Sequence, residues 1–160
     1  MTDEPTPEMI EKWHRRFAVE CNNRTWDLID RPKRAPAEDQ EMLYTAYAAA
    51  FHWSKVGKPI NNARADVTLA HVHALRGEGE MALRYAQSSL TFFESNAGED
   101  WDVAFAHAEM AFAAAVLGDA DLHARHYSEA KRRGEAIQEE EDRTVFMDEF
   151  SRIPSQVMSH

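Results

Sequence analysis

The sequence predicts an all-α fold, and three observations carry that prediction. Apolar and small residues recur at three- and four-residue spacing, most clearly near the middle of the chain. No apolar segment alternates with a period of two or is rich in β-branched residues, as a strand would be. Gly77 and Gly118 each follow a periodic segment, where helices commonly end. The clearest periodic face comprises Ala82, Tyr85, Ala86, Ser89, Leu90 and Phe93.

Seven helices are expected, and most of their ends carry a local signal. The first begins with Thr6 as a hydroxyl N-cap and Pro7 in the first turn. Gly57 is predicted to end the second helix in a left-handed conformation, and Asp119 is predicted to cap the sixth. Residues 30–36, with two prolines, are predicted to form a loop. The expected helices span about 7–29, 37–55, 60–75, 80–94, 100–117, 120–137 and 141–151.

Helical spacing also predicts which side of each remaining helix faces the core. For the first helix it selects Met9, Trp13 and Phe17. For the second it selects Leu43, Tyr47, Ala50, Phe51 and Ser54. For the last three helices it selects Trp101, Ala104, Phe105, Ala108, Ala111, Phe112, Ala115, Tyr127, Ala130, Gly134, Ile137, Phe146 and Phe150.

Length and composition favour one domain at residues 6–153, with a disordered leader at 1–5 and a tail at 154–160. The chain has 18 basic and 28 acidic residues, hence a net charge of −10, which disfavours nucleic acid as a partner. It has no signal-peptide pattern and no long apolar run, so a cytoplasmic protein with no membrane contact is expected. Cys21 is the single cysteine, which excludes an internal disulfide and a cysteine-based zinc site; no cofactor is indicated.

The segments after Gly77 and Gly118 form two similar series when the glycines, 41 residues apart, are aligned. The first series is Ala82, Ala86 and Ser89, and the second is His123, Tyr127 and Ala130. This pattern resembles the second half of a tetratricopeptide (TPR) unit over residues 37–137. The leading half departs from the TPR pattern at its Trp and Tyr positions, although Ala70 and Ala111 suit its close-packing glycine position.

Three short stretches are also similar to a bacterial family of TPR-like proteins that has no assigned activity. They are His52-Trp53-x-x-Val56-Gly57, Asn62-Ala63-Arg64 and Asp100-Trp101-Asp102-x-Ala104-Phe105-Ala106. The TPR resemblance implies a superhelix of three helical hairpins with the seventh helix capping one end. It also implies a concave groove lined mainly by the first, third and fifth helices, which would bind a protein or peptide partner.

Six residues are candidates for lining such a groove. Arg64, His71 and His107 would read polar groups of the partner, and Asn61 opens the same helix as Arg64. Trp53 and Trp101 would be aromatic anchors. Arg64 would form a polar cluster in the concave face with Asp66, Asp102 or Glu109. The alternative for both tryptophans is core packing with a satisfied indole N–H, and the alternative for Arg64 is a surface ion pair or a buried network that fixes how the repeats stack.

Two further hypotheses belong to other classes. A histidine- and tryptophan-lined cavity between helices would make the chain a small-molecule or metal-binding protein, possibly an enzyme. His71 and His73 lie about 200° apart around a helix and cannot chelate one ion, whereas His123 and His126 share a face. Alternatively, alanine-rich stripes on the first or last helix would pair two chains as a homodimer.

Overall fold

The computed structural model describes residues 4–159, and all their regular secondary structure is α-helical. The all-α prediction is therefore confirmed for the described part of the chain, with each predicted helix end within two residues of the observed one. Most of the predicted leader at 1–5, and the last residue of the predicted tail, lie outside the described residues. The helices are α1 (Pro7–Ile29), α2 (Pro36–Val56), α3 (Pro59–Leu75), α4 (Gly79–Ser95), α5 (Asp100–Leu117), α6 (Ala120–Glu135) and α7 (Glu140–Ser151).

The predicted caps explain where several helices begin and end. The Thr6 hydroxyl accepts a hydrogen bond from the Met9 N–H at 3.2 Å, and the Asp119 carboxylate accepts one from the Leu122 N–H at 3.0 Å. Gly77 and Gly118 both adopt φ 76°, the left-handed conformation that favours glycine. These local interactions fix the ends of α1, α3, α5 and α6.

The prediction for Gly57 is wrong in its conformation, because this residue is extended, with φ −77° and ψ 162°. Its N–H donates to the Trp53 carbonyl at 2.6 Å, and a Cβ at this position would lie 2.6 Å from the same oxygen. Glycine is therefore required here for the close approach of two backbone segments, and a positive φ plays no part. Pro59 follows two residues later and begins α3 directly.

The chain divides into two compact units, Met1–Ala65 and Asp66–His160. The prediction of one domain stays a prediction. In the first unit α1 and α2 form an antiparallel hairpin, joined by the Arg24–Glu41 ion pair at 2.7 Å and by a 2.9 Å hydrogen bond between the Thr25 and Thr45 hydroxyls. The buried residues of these two helices are Ala18, Thr25, Leu28, Ile29, Met42, Ala46 and Ala49.

The predicted inward faces of α1 and α2 are wrong at most positions, although Leu43 and Ala50 of α2 are partly buried. Met9, Trp13 and Phe17 on α1 are exposed, as are Tyr47 and Phe51 on α2. Ala18, Ala46 and Ala49 are buried instead, because small side chains let two helices approach closely while bulky aromatic rings hold them apart. The periodic residues do share one side of each helix, but most of that side faces solvent.

The second unit is built around α5. Every residue of α5 from 106 to 116 is buried, although the sequence predicted burial of one stripe only. The helix contacts α4, α6 and α7, and it reaches α3 through Glu109. Its alanines permit close approach on all sides, so α5 is the central helix of this unit.

The predicted inward faces of α4, α6 and α7 are confirmed in most positions. Tyr85 and Tyr127 are partly buried, and the other predicted positions are buried. The buried members are Ala82, Ala86, Ser89, Leu90, Phe93, Ala130, Gly134, Ile137, Phe146 and Phe150.

The segment after α7 belongs to the second unit and packs against its helices α5 and α6, which the sequence did not predict. The Met158 N–H donates to the Ala115 carbonyl at 2.9 Å, and the His123 ring donates to the Pro154 carbonyl at 2.8 Å. Ile153 is buried beside them. Separately, none of the described helices has both the length and the apolar character needed to cross a bilayer.

Candidate functional site

The six candidate residues divide equally between the two units. In the first unit, the Asn61 side chain accepts a hydrogen bond from the Lys58 N–H at 2.9 Å and thereby caps the start of α3. Trp53 is partly buried, with its ring against Gly57. Arg64 is also partly buried. Asn61 and Trp53 thus have structural roles around the α2–α3 connection.

In the second unit, Trp101 and His71 both contribute to packing. The Trp101 ring meets Phe105 edge to face at a centroid distance of 6.3 Å and packs against the main core. His71 is buried, and its ring lies edge-on to Phe112 at 5.3 Å. A partner could reach the buried His71 ring only if the surrounding helices moved apart, whereas Trp101 is partly exposed.

His71 forms a buried pair with Glu109 across α3 and α5. The His71 Nδ1 atom lies 2.8 Å from Glu109 Oε1, and the Glu109 side chain is 1% exposed. The other carboxylate oxygen, Oε2, is buried and has no hydrogen-bond partner in the described part of the chain. This pair holds an imidazole in a fixed orientation, but its burial shields both groups from solvent.

Asp66 and Asp102, the other carboxylates in the network predicted for Arg64, also make local contacts. Asp66 accepts a hydrogen bond from the Ser88 hydroxyl at 2.7 Å. Burial raises the pKa of Asp66, and that hydrogen bond opposes the rise. Asp102 accepts a hydrogen bond from the Glu99 N–H at 2.9 Å and completes a capping box at the start of α5.

His107 pairs with His126 of α6 at an Nδ1–Nδ1 distance of 2.9 Å, so one ring must donate a proton and the other accept it. The rings stack with centroids 5.1 Å apart. Burial lowers the pKa of His107 to about 4, assisted by His126 and Arg133. His107 and Glu109 are two residues apart on α5, so they point to opposite sides.

A second histidine pair, which the sequence analysis missed, lies in the first unit. His14 of α1 and His52 of α2 are 2.8 Å apart between their Nδ1 atoms. The ring centroids of Phe17 and His52 are 5.6 Å apart, and those of Phe51 and His14 are 6.1 Å apart. The pairing joins residues 38 positions apart in the chain, so no local spacing rule could have identified it.

These two aromatic residues belong to an exposed apolar surface on one side of the hairpin. On α1, residues 10, 13 and 17 share a side, and on α2 residues 44 and 51 are two helical turns apart. Trp13 and Phe17 are each 45% exposed, and Phe51 is 54% exposed. We call this surface the α1–α2 apolar face; it comprises Ile10, Trp13, Phe17, Tyr44 and Phe51.

The remaining reactive groups were compared with the requirements of a metal site in the part of the chain that the structure describes. No group of three or more His, Cys, Asp or Glu side chains is placed there to hold a metal ion. Partial burial and the neighbouring Glu20 raise the pKa of the Cys21 thiol, which keeps it protonated at neutral pH.

Comparisons with protein-family models, with curated proteins and with solved structures find no match for this chain.

Proposed function

We propose that this protein is a non-catalytic protein-interaction module of TPR-like form, and that the α1–α2 apolar face is its docking surface. The observation that carries the proposal is this exposed, aromatic-rich surface on a hairpin whose own core is made of smaller side chains. Trp13, Phe17 and Phe51 lie outside that core although they are the residues best suited to fill one.

The size and composition of the face support protein binding. Isolated exposed apolar residues are normal, but contiguous apolar patches on a monomer commonly mark interaction sites. Trp and Tyr are enriched among the residues that contribute most to binding energy, and aromatic residues in general are enriched at interface centres. The face combines one Trp, one Tyr and two Phe.

The pattern of contacts between helices supports the TPR-like arrangement of the second unit. In stacked helical hairpins, a helix packs against the next helix and also against the one after it. Here α3 contacts α4 through the Asp66–Ser88 hydrogen bond and contacts α5 through His71–Glu109. Likewise α5 contacts α6 and also α7, where Phe105 meets Phe146 at 4.9 Å.

The α1–α2 apolar face is more accessible to a partner than the residues that were predicted to line a groove. His71 is buried and paired, Trp101 packs on the core, and Asn61 caps a helix. Their roles as polar readers and anchors stay predictions. The apolar face, in contrast, needs no rearrangement to meet a partner.

Site-specific photocrosslinking in the cells that produce the protein tests the proposal. A photoreactive benzoylphenylalanine would replace Phe17 in one variant and Val19 in the other. Val19 is 43% exposed on the same helix, but its position is turned by about 200° from Phe17. We expect discrete protein adducts from position 17 and none from position 19. Equal adducts, or none from either position, would refute the assignment of the face.

A further inference from the structure

We propose that the partner bound by the α1–α2 apolar face is a second copy of this chain, so that two hairpins form a symmetric homodimer. This inference rests on the proposed function, because it names the protein that covers the same face. Three properties of α1 and α2 favour a second copy over an unrelated partner: the dimensions of the face, its charge balance and the arrangement of its aromatic side chains.

The side of the hairpin that carries the face has about the size that a small dimer interface needs. Helix α1 has 23 residues, so it is about 34 Å long, and two adjacent helices present a width of roughly 20 Å. One hairpin side therefore offers roughly 600 Å², and two copies would bury roughly 1,200 Å² in total. That value lies at the lower end of stable interfaces.

The charge of α1 is balanced, although the chain as a whole carries −10. Its four basic residues match four acidic ones, and two pairs form along the helix, Arg15–Glu11 and Arg16–Glu20. Helix α2 adds three acidic residues and one basic residue, so the two helices together carry −2 of the chain's −10. A surface of so low a net charge gives little electrostatic selection for a strongly basic or acidic partner. The repulsion between two copies is correspondingly small, and salt screens the more distant charges of the two chains.

The aromatic residues of α1 suit a two-fold axis. In such an interface, each residue contacts a different residue of the partner, and the contact is repeated by symmetry. Trp13 and Phe17 are one helical turn apart, so an axis passing between them in an antiparallel crossing sets Trp13 of each copy against Phe17 of the other. Phe51 then extends the contact from the second helix of each hairpin.

Analytical ultracentrifugation of the full chain tests this inference. Interfaces of this size are often weak, so the measurement should cover about 1 to 200 µM. We expect the mass to rise with concentration from 18.3 kDa to twice that value. Phe17→Glu and Trp13→Glu should each raise the dissociation constant at least ~100-fold, because symmetry places each substitution in the interface twice.

Val19→Glu is the matched control, because it adds the same charge at a similarly exposed apolar position on the other side of α1. It should dimerise like the wild type. Circular dichroism of all variants should agree, and their melting temperatures should be similar at a concentration where the wild type is monomeric, since each substituted side chain is nearly half exposed.

Two results would overturn the homodimer: a wild type that stays monomeric at 200 µM, or dimerisation that Phe17→Glu and Trp13→Glu leave unchanged. The photocrosslinking experiment separates this failure from failure of the proposed function. A monomeric protein whose position 17 is crosslinked to a different protein would refute the second copy and keep the docking face. Absence of any adduct at position 17 would refute both.

Discussion

His107 links the folded structure to pH. Burial, with contributions from His126 and Arg133, lowers the pKa of His107 from 6.5 to about 4. Between these values the unfolded chain binds a proton that the folded chain does not, so the free energy of unfolding falls as the pH falls. We expect a slope of at most about 1.4 kcal/mol per pH unit from this histidine, measured by urea unfolding between pH 7 and pH 4.

His107→Gln is the control for this prediction, since glutamine can hydrogen-bond to His126 but does not titrate. The variant should lose part of the slope between pH 6.5 and pH 4. Above about pH 5.5 the remaining slope should come mainly from His126 and His52, because burial also lowers the pKa of each of them. Nearer pH 4, Glu129 adds to it, because its hydrogen bond with Arg132 lowers its pKa to about 2. Identical slopes for the variant and the wild type would contradict the assignment to His107.

The buried His71–Glu109 pair should contribute more to stability than the His73–Glu78 pair, whose histidine lies on the same helix. His71→Ala removes the partner of Glu109 Oε1, and Oε2 has no hydrogen-bond partner in the described part of the chain. The variant therefore leaves a buried carboxylate with both oxygens unsatisfied. We expect a loss of about 3 kcal/mol in the free energy of unfolding, as for other broken buried pairs. Chemical denaturation measures this loss.

His73→Ala provides the comparison, because the Glu78 carboxylate that His73 contacts is 37% exposed. Water can replace the lost hydrogen bond there, so the expected loss is about 1 kcal/mol. A smaller loss for His71→Ala than for His73→Ala would show that the His71–Glu109 pair adds little to stability.

At the scale of the helices, the close contact between α6 and α7 depends on Gly134. A Cβ at this position would lie 2.1 Å from Cε1 of Phe146, a ring that is fully buried and cannot move aside. Overpacking costs about 1–3 kcal/mol, and the better helix propensity of alanine offsets about 1 kcal/mol. Gly134→Ala should therefore lower the free energy of unfolding by up to about 2 kcal/mol in a urea titration.

Gly79→Ala is a suitable contrast. Its added Cβ would lie 2.8 Å from Cγ of Leu117, a side chain that is 37% exposed and can rotate away, and at a milder 3.1 Å from Cγ1 of the buried Val116. We expect little change in stability for this variant. If Gly134→Ala is as stable as Gly79→Ala, the contact between Gly134 and Phe146 is looser than the structure indicates.

The helices themselves could be predicted from the sequence because their ends depend on neighbouring residues. Thr6 and Asp119 cap their own helices, and Gly118 supplies a left-handed residue where α5 ends. The conformation of Gly57 was missed because it depends on the backbone of Trp53 that it closely approaches.

The buried faces and the paired side chains were harder to predict, because they depend on packing between distant segments. The stripe of Trp13 and Phe17 has the spacing of a core face, yet the smaller Ala18 is buried. The pairs His14–His52 and His71–Glu109 each join residues 38 positions apart, which no local pattern encodes. For the candidate site, the residue types could therefore be read from the sequence, but the burial and the partners of each side chain could not.

At the scale of the whole molecule, the two units differ in how much of their central helices is buried. In α5 every residue from 106 to 116 is buried, whereas α1 buries four of its 23 residues. Local opening requires less free energy where fewer apolar contacts are lost. At low micromolar concentration, we therefore expect amide hydrogens in the middle of α1 to exchange faster than those of α5, by at least ~10-fold.

Hydrogen exchange followed by mass spectrometry would measure both helices in one sample of the full chain. Raising the protein concentration should slow exchange in α1 and α2 selectively, because a second copy that covers the apolar face stabilises the hairpin by mass action. Phe17→Glu should remove this concentration dependence, and Val19→Glu should retain it. Equal protection of α1 and α5 in the dilute sample would contradict the assigned difference between the units, whatever the oligomeric state.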